Sequence, residues 1–248
     1  MDLSELEGKL ANCQACPLRQ DAIAPVGWYG NPESPIVFVG EGPGQVEDDY
    51  GCPLIGPSGQ LLDKALWAAK MTRDRVLTTN VIKCRPKNNR TPDIAEADFC
   101  AKQWLQRELE IIKPKVIVAL GSVALHCLGR PDMRITRDRG MWFRTEQGFD
   151  CIATYHPAYL LRQYGKQLVA SKWDVFHDLE AARERAALLA PGYQFMSEEK
   201  PDLFKIFKKR PANVLSCNSL RSADTYSYTN GPVSGYILPI TGSVGVPD

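Results

Sequence analysis

Four mostly apolar segments of strand length constrain the fold of this chain more than any other feature. They cover residues 37–39, 76–79, 116–120 and 151–155, and each is followed at once by a glycine or a polar residue. Strands with apolar residues on both faces are typical of parallel sheets, whose two faces are covered. Helical patterns lie between the segments, one of them opened by Thr91-Pro92. We therefore predict an α/β fold in which a largely parallel sheet has helices on both faces.

The residues that follow three of these segments carry useful chemistry. Glu41 follows the first segment and its glycine, Asn80 follows the second, and His156 follows the fourth. In open α/β sheets ligands bind beyond the carboxyl ends of the strands. The sequence therefore predicts that Glu41, Asn80 and His156 converge on one pocket.

Charge and composition exclude little but set useful limits. The chain has 248 residues, 44% of them hydrophobic, and a formal net charge of +1, so it has no overall basic field. Basic residues are nevertheless clustered in two loops, at 83–90 and 130–139. Such clusters are usually plain solvated surface, but two of them near strand ends favour an anionic ligand. Because we find neither a signal peptide nor an apolar stretch long enough for a membrane span, we expect a cytoplasmic protein without membrane attachment. We also expect a monomer.

The amino-acid composition changes beyond Pro191. We predict one domain over residues 1–190 and, over 191–248, a C-terminal extension that is flexible or loosely packed, since 213–248 is rich in Ser, Thr, Gly, Asn and Pro. Within it, an apolar segment at 203–207 precedes three basic residues. It could bind a partner such as a sliding clamp, although a short amphipathic helix is the commoner explanation.

Eight cysteines in a reducing compartment favour metal ligation over disulfides. Cys13 and Cys16 form a C-x2-C pair, and Cys84 and Cys100 are placed so that they could approach each other. Four thiolates suit a structural zinc or an iron–sulfur cluster, and the ligand type does not distinguish between the two. The spacing alone leaves open whether these cysteines bind a metal at all. We interpret the remaining four as small buried residues or bystanders: Cys52, Cys127, Cys151 and Cys217.

Several motifs, taken together, resemble the family-4 uracil-DNA glycosylases. They occur in the family's order over about residues 10 to 185, and four cysteines occupy the family's positions. The matching segments are Gly40-Glu41-Gly42-Pro43-Gly44, Gly56-Pro57-Ser58-Gly59-Gln60, Thr79-Asn80-Val81-Ile82-Lys83-Cys84-Arg85-Pro86, Lys113-Pro114-Lys115 and His156-Pro157-Ala158-Tyr159-Leu160-Leu161-Arg162.

The resemblance implies a fold, an activity and a cofactor. The fold is a three-layer α/β/α sandwich with a central four-stranded parallel sheet. The activity is hydrolysis of the N-glycosidic bond of a flipped-out deoxyuridine in DNA, single- or double-stranded, which leaves an abasic site in base excision repair. The cofactor is a structural [4Fe–4S] cluster held by Cys13, Cys16, Cys84 and Cys100.

The resemblance also implies roles for the pocket residues. The Asn80 amide matches uracil O4 and N3–H, and His156 would donate a hydrogen bond to O2, where negative charge develops. Glu41 and Asn89 are the leading candidates to orient the hydrolytic water. Glu47 could do so too, or could crowd the C5 side of the base and exclude thymine. The pocket is completed by Gly40, Gly42 and Leu54.

A further group of residues is expected to contact DNA. Backbone N–H groups at the start of a helix would bind a phosphate, basic side chains would add salt-sensitive contacts, and the loop after His156 would enter the minor groove with an apolar wedge. The N–H groups are those of Gly56, Ser58, Gly59 and Gln60. The basic side chains are Lys83, Arg85 and Arg90, and the loop residues are Tyr159, Leu160, Leu161 and Arg162.

The chain departs from the family pattern at Leu54, where a phenylalanine usually stacks on the flipped base. Gly42 stands where the better-known family-1 uracil-DNA glycosylases have an acidic residue. The family-4 enzymes also have a glycine at this position. These two positions motivate an alternative hypothesis, a module that binds damaged or single-stranded DNA with weak or altered base specificity. A zinc-stabilised α/β protein of unrelated chemistry is a third and more remote hypothesis.

Overall fold

The sheet has six strands, four of them parallel at its centre. A computed structural model describes residues 1–129 and 132–197. Within them the strand order is β1-β3-β2-β4-β6-β5; the inner four are parallel and the two edge strands antiparallel. The predicted parallel sheet is thus confirmed, with two short edge strands that the sequence patterns did not indicate. The strands are β1 Tyr29–Gly30, β2 Ile36–Gly40, β3 Leu77–Asn80, β4 Val116–Leu120, β5 Trp142–Arg144 and β6 Asp150–Thr154.

Helices cover both faces of this sheet. On one face α1, α5, α6 and α7 share a core cluster with the sheet, and on the other α4, α9 and α10 do so. No helix in the described part of the chain is long and apolar enough to span a membrane. The helices are α1 Leu3–Ala11, α2 Leu18–Asp21, α3 Gln45–Tyr50, α4 Pro57–Ala68, α5 Ile94–Cys100, α6 Gln106–Ile112, α7 Gly121–Leu128, α8 Ile135–Asp138, α9 Pro157–Leu160 and α10 Gly165–Leu189; a π-helical turn at Ala101–Leu105 joins α5 to α6, and a 3₁₀ turn covers Lys87–Asn89.

The two-sided burial of the strands explains their apolar sequences. All residues of β2 and β4 are buried. Val37 and Val39 pack in the core cluster on one face, whereas Ile36 and Phe38 pack in the cluster on the other. Because side chains alternate between the faces of a strand, a strand inside two helical layers needs apolar residues at every position.

The chain just beyond α10 packs against the domain. The Phe195 side chain is buried in the core cluster of α10, its carbonyl accepts from the Thr72 N–H at 2.9 Å, and the Tyr193 hydroxyl donates to the Arg75 carbonyl at 2.6 Å. The part of the predicted extension up to residue 197 is therefore anchored to the sandwich. The segment proposed to bind a clamp, 203–210, lies outside the described residues.

The structure corrects the prediction for Lys83, which is not a DNA contact. Its side chain is 1% exposed, and its ammonium lies 2.7 Å from both the Glu108 carboxylate and the Thr79 hydroxyl. A buried ammonium needs such partners because desolvation of an unpaired charge is very unfavourable. Lys83 therefore ties the end of β3 to α6 and takes no part in a surface.

We predict that Lys83→Met lowers the free energy of unfolding by about 3–5 kcal/mol, because the substitution leaves the Glu108 carboxylate buried without its cation. Urea denaturation measures this. The double variant Lys83→Met/Glu108→Leu serves as the control and should regain most of the loss. A single variant within 1 kcal/mol of wild type would contradict the buried pair.

Candidate active site

A cavity of about 650 Å³ lies at the carboxyl edge of the sheet. The register aligns Gly40 with Asn80 and Leu120 with Thr154, so these strands end at one level. The loops that follow them form the cavity. The predicted residues that line it include Glu41, Gly42, Glu47, Leu54, Gly56, Ser58, Asn89, Arg90, His156, Tyr159, Leu161 and Arg162.

Asn80 ends β3 beside Gly40, at the edge of the sheet where the cavity lies, and its amide has no hydrogen-bond partner in the described structure. The residue is fully buried, and neither its Nδ2 nor its Oδ1 has a hydrogen bond within the described structure. Buried polar groups are almost always paired, and an unpaired one costs about 1–3 kcal/mol. An unpaired donor and acceptor on one planar amide therefore point to a ligand that presents the complementary pair.

Gly40 makes room for that amide. A Cβ at Gly40 would overlap the Asn80 Oδ1 and touch the side chain of Leu54 at 3.5 Å. Because the two residues are paired neighbours in β2 and β3, the glycine is a steric requirement of the Asn80 position. The sequence indicated Gly40 as part of the pocket, and the structure gives its physical role.

His156 lines the cavity as a neutral imidazole. Its burial, with a smaller contribution from the nearby Arg162 guanidinium, lowers the pKa of His156 to about 4. Its Nδ1 accepts a hydrogen bond from the Ala158 N–H at 3.1 Å as the N-cap of α9. This bond assigns the proton to Nε2, so the imidazole offers one N–H donor to a ligand.

Gly121 allows His156 to sit this close to β4. Its φ of +88° suits glycine, and a Cβ there would lie 2.8 Å from the His156 Cβ. Sequence reasoning did not assign Gly121 to the site. The signal was available, since Gly121 follows an apolar segment in the same way that Gly40 does.

A stack of side chains braces the His156 loop. The Arg139 guanidinium binds the Asp178 carboxylate of α10 at 2.9 and 3.1 Å and lies 5.6 Å from the ring centre of Tyr155. Tyr155 in turn stacks on Tyr159 with 4.8 Å between ring centres. The two tyrosines flank His156 in the chain and line the cavity. Arg139 belongs to the basic cluster at 130–139, and its carboxylate partners make it a brace of this wall.

Glu47 has a structural role that competes with its predicted ones. Its Oε2 accepts from the Gly44 N–H at 3.1 Å, and its Oε1 accepts from the N–H groups of Ile55 and Gly56 at 3.0 and 2.7 Å. Oε1 thus holds the loop that carries Leu54, and Oε2 caps the start of α3 at Gly44. We therefore do not retain Glu47 as a residue that orients water.

Leu54 forms an apolar part of the wall. Its φ of +54° is uncommon for a residue with a side chain, and its side chain is 4% exposed. A Cβ at Gly59, in the first turn of α4, would overlap the Leu54 backbone. The leucine is consequently held between the Glu47 bonds on one side and α4 on the other.

Glu41 and Asn89 both line the cavity. Burial raises the pKa of Glu41, and the positive charge of Arg162 opposes this shift. Asn89 is exposed, has a φ of +54°, and its Oδ1 accepts a hydrogen bond from the Arg85 guanidinium at 2.7 Å. Both carry oxygen atoms able to accept a proton or hydrogen bond from water.

The predicted DNA contacts fall into two groups. Leu161 and Arg162 are exposed, as is Gln60 in the first turn of α4, where Ser58 is half-buried. In that turn the N–H groups of Ser58 and Gly59 precede the first intrahelical bond, which Gln60 donates to Gly56.

The remaining predicted DNA contacts have protein partners. Arg90 holds Glu96 through two bonds of 2.7 and 2.8 Å, and Tyr159 is half-buried in its stack. Leu160 is 4% exposed and packs in the core cluster of α10. The prediction of a DNA contact is therefore wrong for Leu160, since α9 turns it inward and its neighbour outward.

The four predicted ligand cysteines share one region of the fold. Burial, followed by the nearby thiols of Cys100, Cys16 and Cys13, raises the pKa of Cys84. All four pack in or against the core cluster of α1 and α5. Within residues 1–129 and 132–197, however, no three His, Cys, Asp or Glu side chains are arranged to hold a single metal ion.

The fold and the cavity together define a class of protein: an α/β sandwich with a ligand-sized cavity at the carboxyl edge of its sheet. The chain belongs to the uracil DNA glycosylase superfamily, whose family model matches residues 28–180. The predicted family is thereby confirmed.

Three relatives are type-4 uracil-DNA glycosylases. The chain is 41% identical to that of Thermotoga maritima, over 71% of this chain and 90% of the relative. It is 37% identical to the one from Pyrobaculum aerophilum, over 66% of this chain and 86% of the relative. The identity to the one from Sulfurisphaera tokodaii is also 37%, over 63% and 74% of the two chains.

We predict that the imidazole of His156 stays neutral between pH 8 and pH 5, because burial lowers its pKa to about 4. NMR titration of its ring protons, assigned by comparison with His156→Asn, measures this. Because His156 is harder to protonate in the folded protein than in the unfolded chain, protons bind preferentially to the unfolded chain in this pH range. The folded protein should therefore lose stability as the pH falls from about 6.5 towards 4. Protonation of His156 near pH 6.5 in the folded protein would contradict this account.

Proposed function

We propose that this protein is a uracil-DNA glycosylase that hydrolyses the N-glycosidic bond of a flipped-out deoxyuridine and leaves an abasic site. The observation that carries the proposal is the Asn80 amide, buried and unpaired next to the cavity. Family membership supports it, since relatives of 37–41% identity are named type-4 uracil-DNA glycosylases. We infer that it acts in the cytoplasm, where such an enzyme meets DNA.

Base recognition would rest on Asn80. A base inside a duplex cannot be reached, so an enzyme of this kind extrudes the nucleotide into a pocket. The Asn80 Nδ2 would donate to uracil O4, and its Oδ1 would accept from N3–H. Cytosine presents an amino group at position 4 and an unprotonated N3, so it would face donor with donor and acceptor with acceptor. The unpaired amide is thus satisfied by uracil and not by cytosine.

Stabilisation of the leaving base would rest on His156. Negative charge develops on uracil O2 as the bond to the sugar breaks, and a fixed donor aimed at that oxygen lowers the barrier. The neutral imidazole offers its Nε2–H for this purpose. Because Nδ1 is bound to the Ala158 N–H, the ring is already oriented before the base arrives. The role does not require transfer of a proton from His156.

Water attack would involve Glu41 and Asn89, with His156 on the leaving base. Departure of the base first would form a cationic sugar, which reacts with water without a strong general base. Glu41, half-buried in the cavity wall, would then stabilise positive charge on the sugar as well as orient water. The carboxylate of Glu47 is occupied by three backbone N–H groups.

DNA would lie across the carboxyl edge of the sheet. The N–H groups of Ser58 and Gly59 would bind a phosphate at the start of α4. Exposed Leu161, with Arg162 beside it, would fill the gap left by the extruded base. Arg85 and Arg90 would contact phosphates by exchanging their present partners Asn89 and Glu96 for the DNA backbone.

We further propose that Cys13, Cys16, Cys84 and Cys100 hold a [4Fe–4S] cluster. Thiolates on one tetrahedral zinc would be about 4 Å apart, given a Zn–S length of about 2.3 Å. In a four-iron cluster each thiolate binds its own iron, so the thiols are more widely spaced. The four cysteines pack in or against one core cluster, and the relatives named type-4 uracil-DNA glycosylases agree with the family whose resemblance implies the cluster; both support the second pattern. The cluster would order the segments between α1 and α2 and around Cys84, with no part in bond cleavage.

The activity is tested on a labelled oligonucleotide with one uracil, followed by alkali to cut abasic sites. We expect strand scission with wild-type protein and a loss of at least a hundredfold in rate with Asn80→Ala, because the variant lacks both hydrogen-bonding groups. Oligonucleotides with cytosine or thymine at the same position are the substrate controls. Uracil-dependent binding without scission would instead favour the damage-binding module of the same fold.

The cluster is tested by metal analysis and visible absorption of protein purified without oxygen. We expect about four irons per chain and a broad visible absorption, and the loss of both in Cys84→Ala. Cys151→Ala is the matched control, since Cys151 is also buried but lies in β6 away from this set. One zinc per chain without colour would contradict the proposal.

A further inference from the structure

A second cavity, of about 320 Å³, opens beside the candidate active site. We call it the side groove. It lies between the first turns of α5 and α7 and the segment leading into α8, on the carboxyl-edge side of the sheet. Its walls are mostly apolar, with Ile94, Val123, Met133 and Ile135 among them. A volume of this size accommodates a small planar ligand.

The side groove is continuous with the active-site cavity. Four residues line both of them: Thr91, Ser122, Ile135 and Thr136. A ligand that extends out of the larger cavity on this side therefore meets the side groove next. The three shared hydroxyl groups line the passage between the active-site cavity and the mostly apolar side groove.

Its charge suits a nucleic acid strand. No residue that lines the side groove is acidic, while Arg134 and His126 are basic. Asp98 lies 3.4 Å from the His126 Nε2 but does not line the groove. The walls thus combine apolar side chains, which suit the face of a base, with positive or neutral groups, which suit a phosphodiester.

Ile94 is the clearest sign that the surface has a ligand. It is 66% exposed at the first position of α5, although it is a large aliphatic residue. A single exposed isoleucine is unremarkable. This one lines an apolar groove that adjoins the site of a flipped nucleotide, so a neighbouring base is the ligand within reach.

We propose that the side groove binds the base next to the flipped uracil when the substrate is single-stranded DNA. The inference rests on the proposed function and extends it to the substrate class. In a duplex the neighbouring base stays stacked and paired, and these interactions keep it in the helix. In a single strand that base is free, and burial of its face against Ile94 replaces the stacking lost when the uracil leaves.

The test measures kcat/KM at one fixed salt concentration for single-stranded oligonucleotides with one uracil. Two further substrates carry a tetrahydrofuran spacer in place of the base on the 5′ or the 3′ side. The protein variants are Ile94→Ser and the matched control Ile23→Ser, because Ile23 is 48% exposed and lines neither cavity. A uracil-containing duplex is assayed in parallel.

In the wild type and in Ile23→Ser, one of the two spacers should lower kcat/KM about fivefold. This is the size of effect expected when the base that covers part of Ile94 is removed. Ile94→Ser should be about fivefold slower on the complete single strand, the same spacer should have no further effect, and the duplex should be cut at the wild-type rate.

Equal losses from the spacer in wild type and Ile94→Ser, or no loss in either, would overturn the side groove as a base site. An equal loss of duplex activity in Ile94→Ser would overturn the restriction to single strands. No excision by wild type on any substrate would overturn the proposed function itself, and the base site with it.

Discussion

The close approach of β2 and β3 at Gly40 and Asn80 is the constraint on which the rest of the site depends. Parallel pairing places the two residues side by side at the end of the sheet. The missing side chain at one of them leaves space for the amide of the other. Strand pairing satisfies the backbone N–H and C=O groups of β2 and β3. The Asn80 side-chain amide is therefore the group that a ligand must satisfy. A recognition site is thereby built into the central sheet of the fold.

The two groups proposed to contact the base, Asn80 and His156, act as dipoles and not as charges. The Asn80 amide is uncharged, and burial keeps the His156 imidazole neutral. A neutral donor can stabilise charge that develops on a leaving base without attracting anions beforehand. Charged side chains also line the cavity, among them Glu41 and Arg162. Arg139 and Asp178 brace the tyrosines that flank His156, and Glu47 holds the loop of Leu54.

Much of this arrangement could be predicted from the sequence, because it depends on local patterns. Apolar segments of strand length followed by polar residues predicted both the sheet and the edge where Glu41, Asn80 and His156 meet. What failed depends on contacts between distant residues. Lys83 has the appearance of a DNA contact within a basic run, and only its position opposite Glu108, on a helix 25 residues away, shows that it is buried.

Other features could not be predicted because their sequence signals are too short. The edge strands β1 and β5 have two and three residues, so they lack a recognisable alternation. Leu160 and Leu161 are identical in type, and only the packing of α9 decides which one faces the core. The role of Glu47 as a cap for two loops depends on where the chain returns eight and nine residues later.

A crystal structure with uracil bound tests the central claim most directly. The account predicts that the base lies in the cavity at the carboxyl edge, with the Asn80 Nδ2 and Oδ1 each about 2.9 Å from uracil O4 and N3. It also predicts the His156 Nε2 within hydrogen-bonding distance of O2. Uracil bound elsewhere, or bound in the cavity while the Asn80 amide keeps no partner, would contradict it.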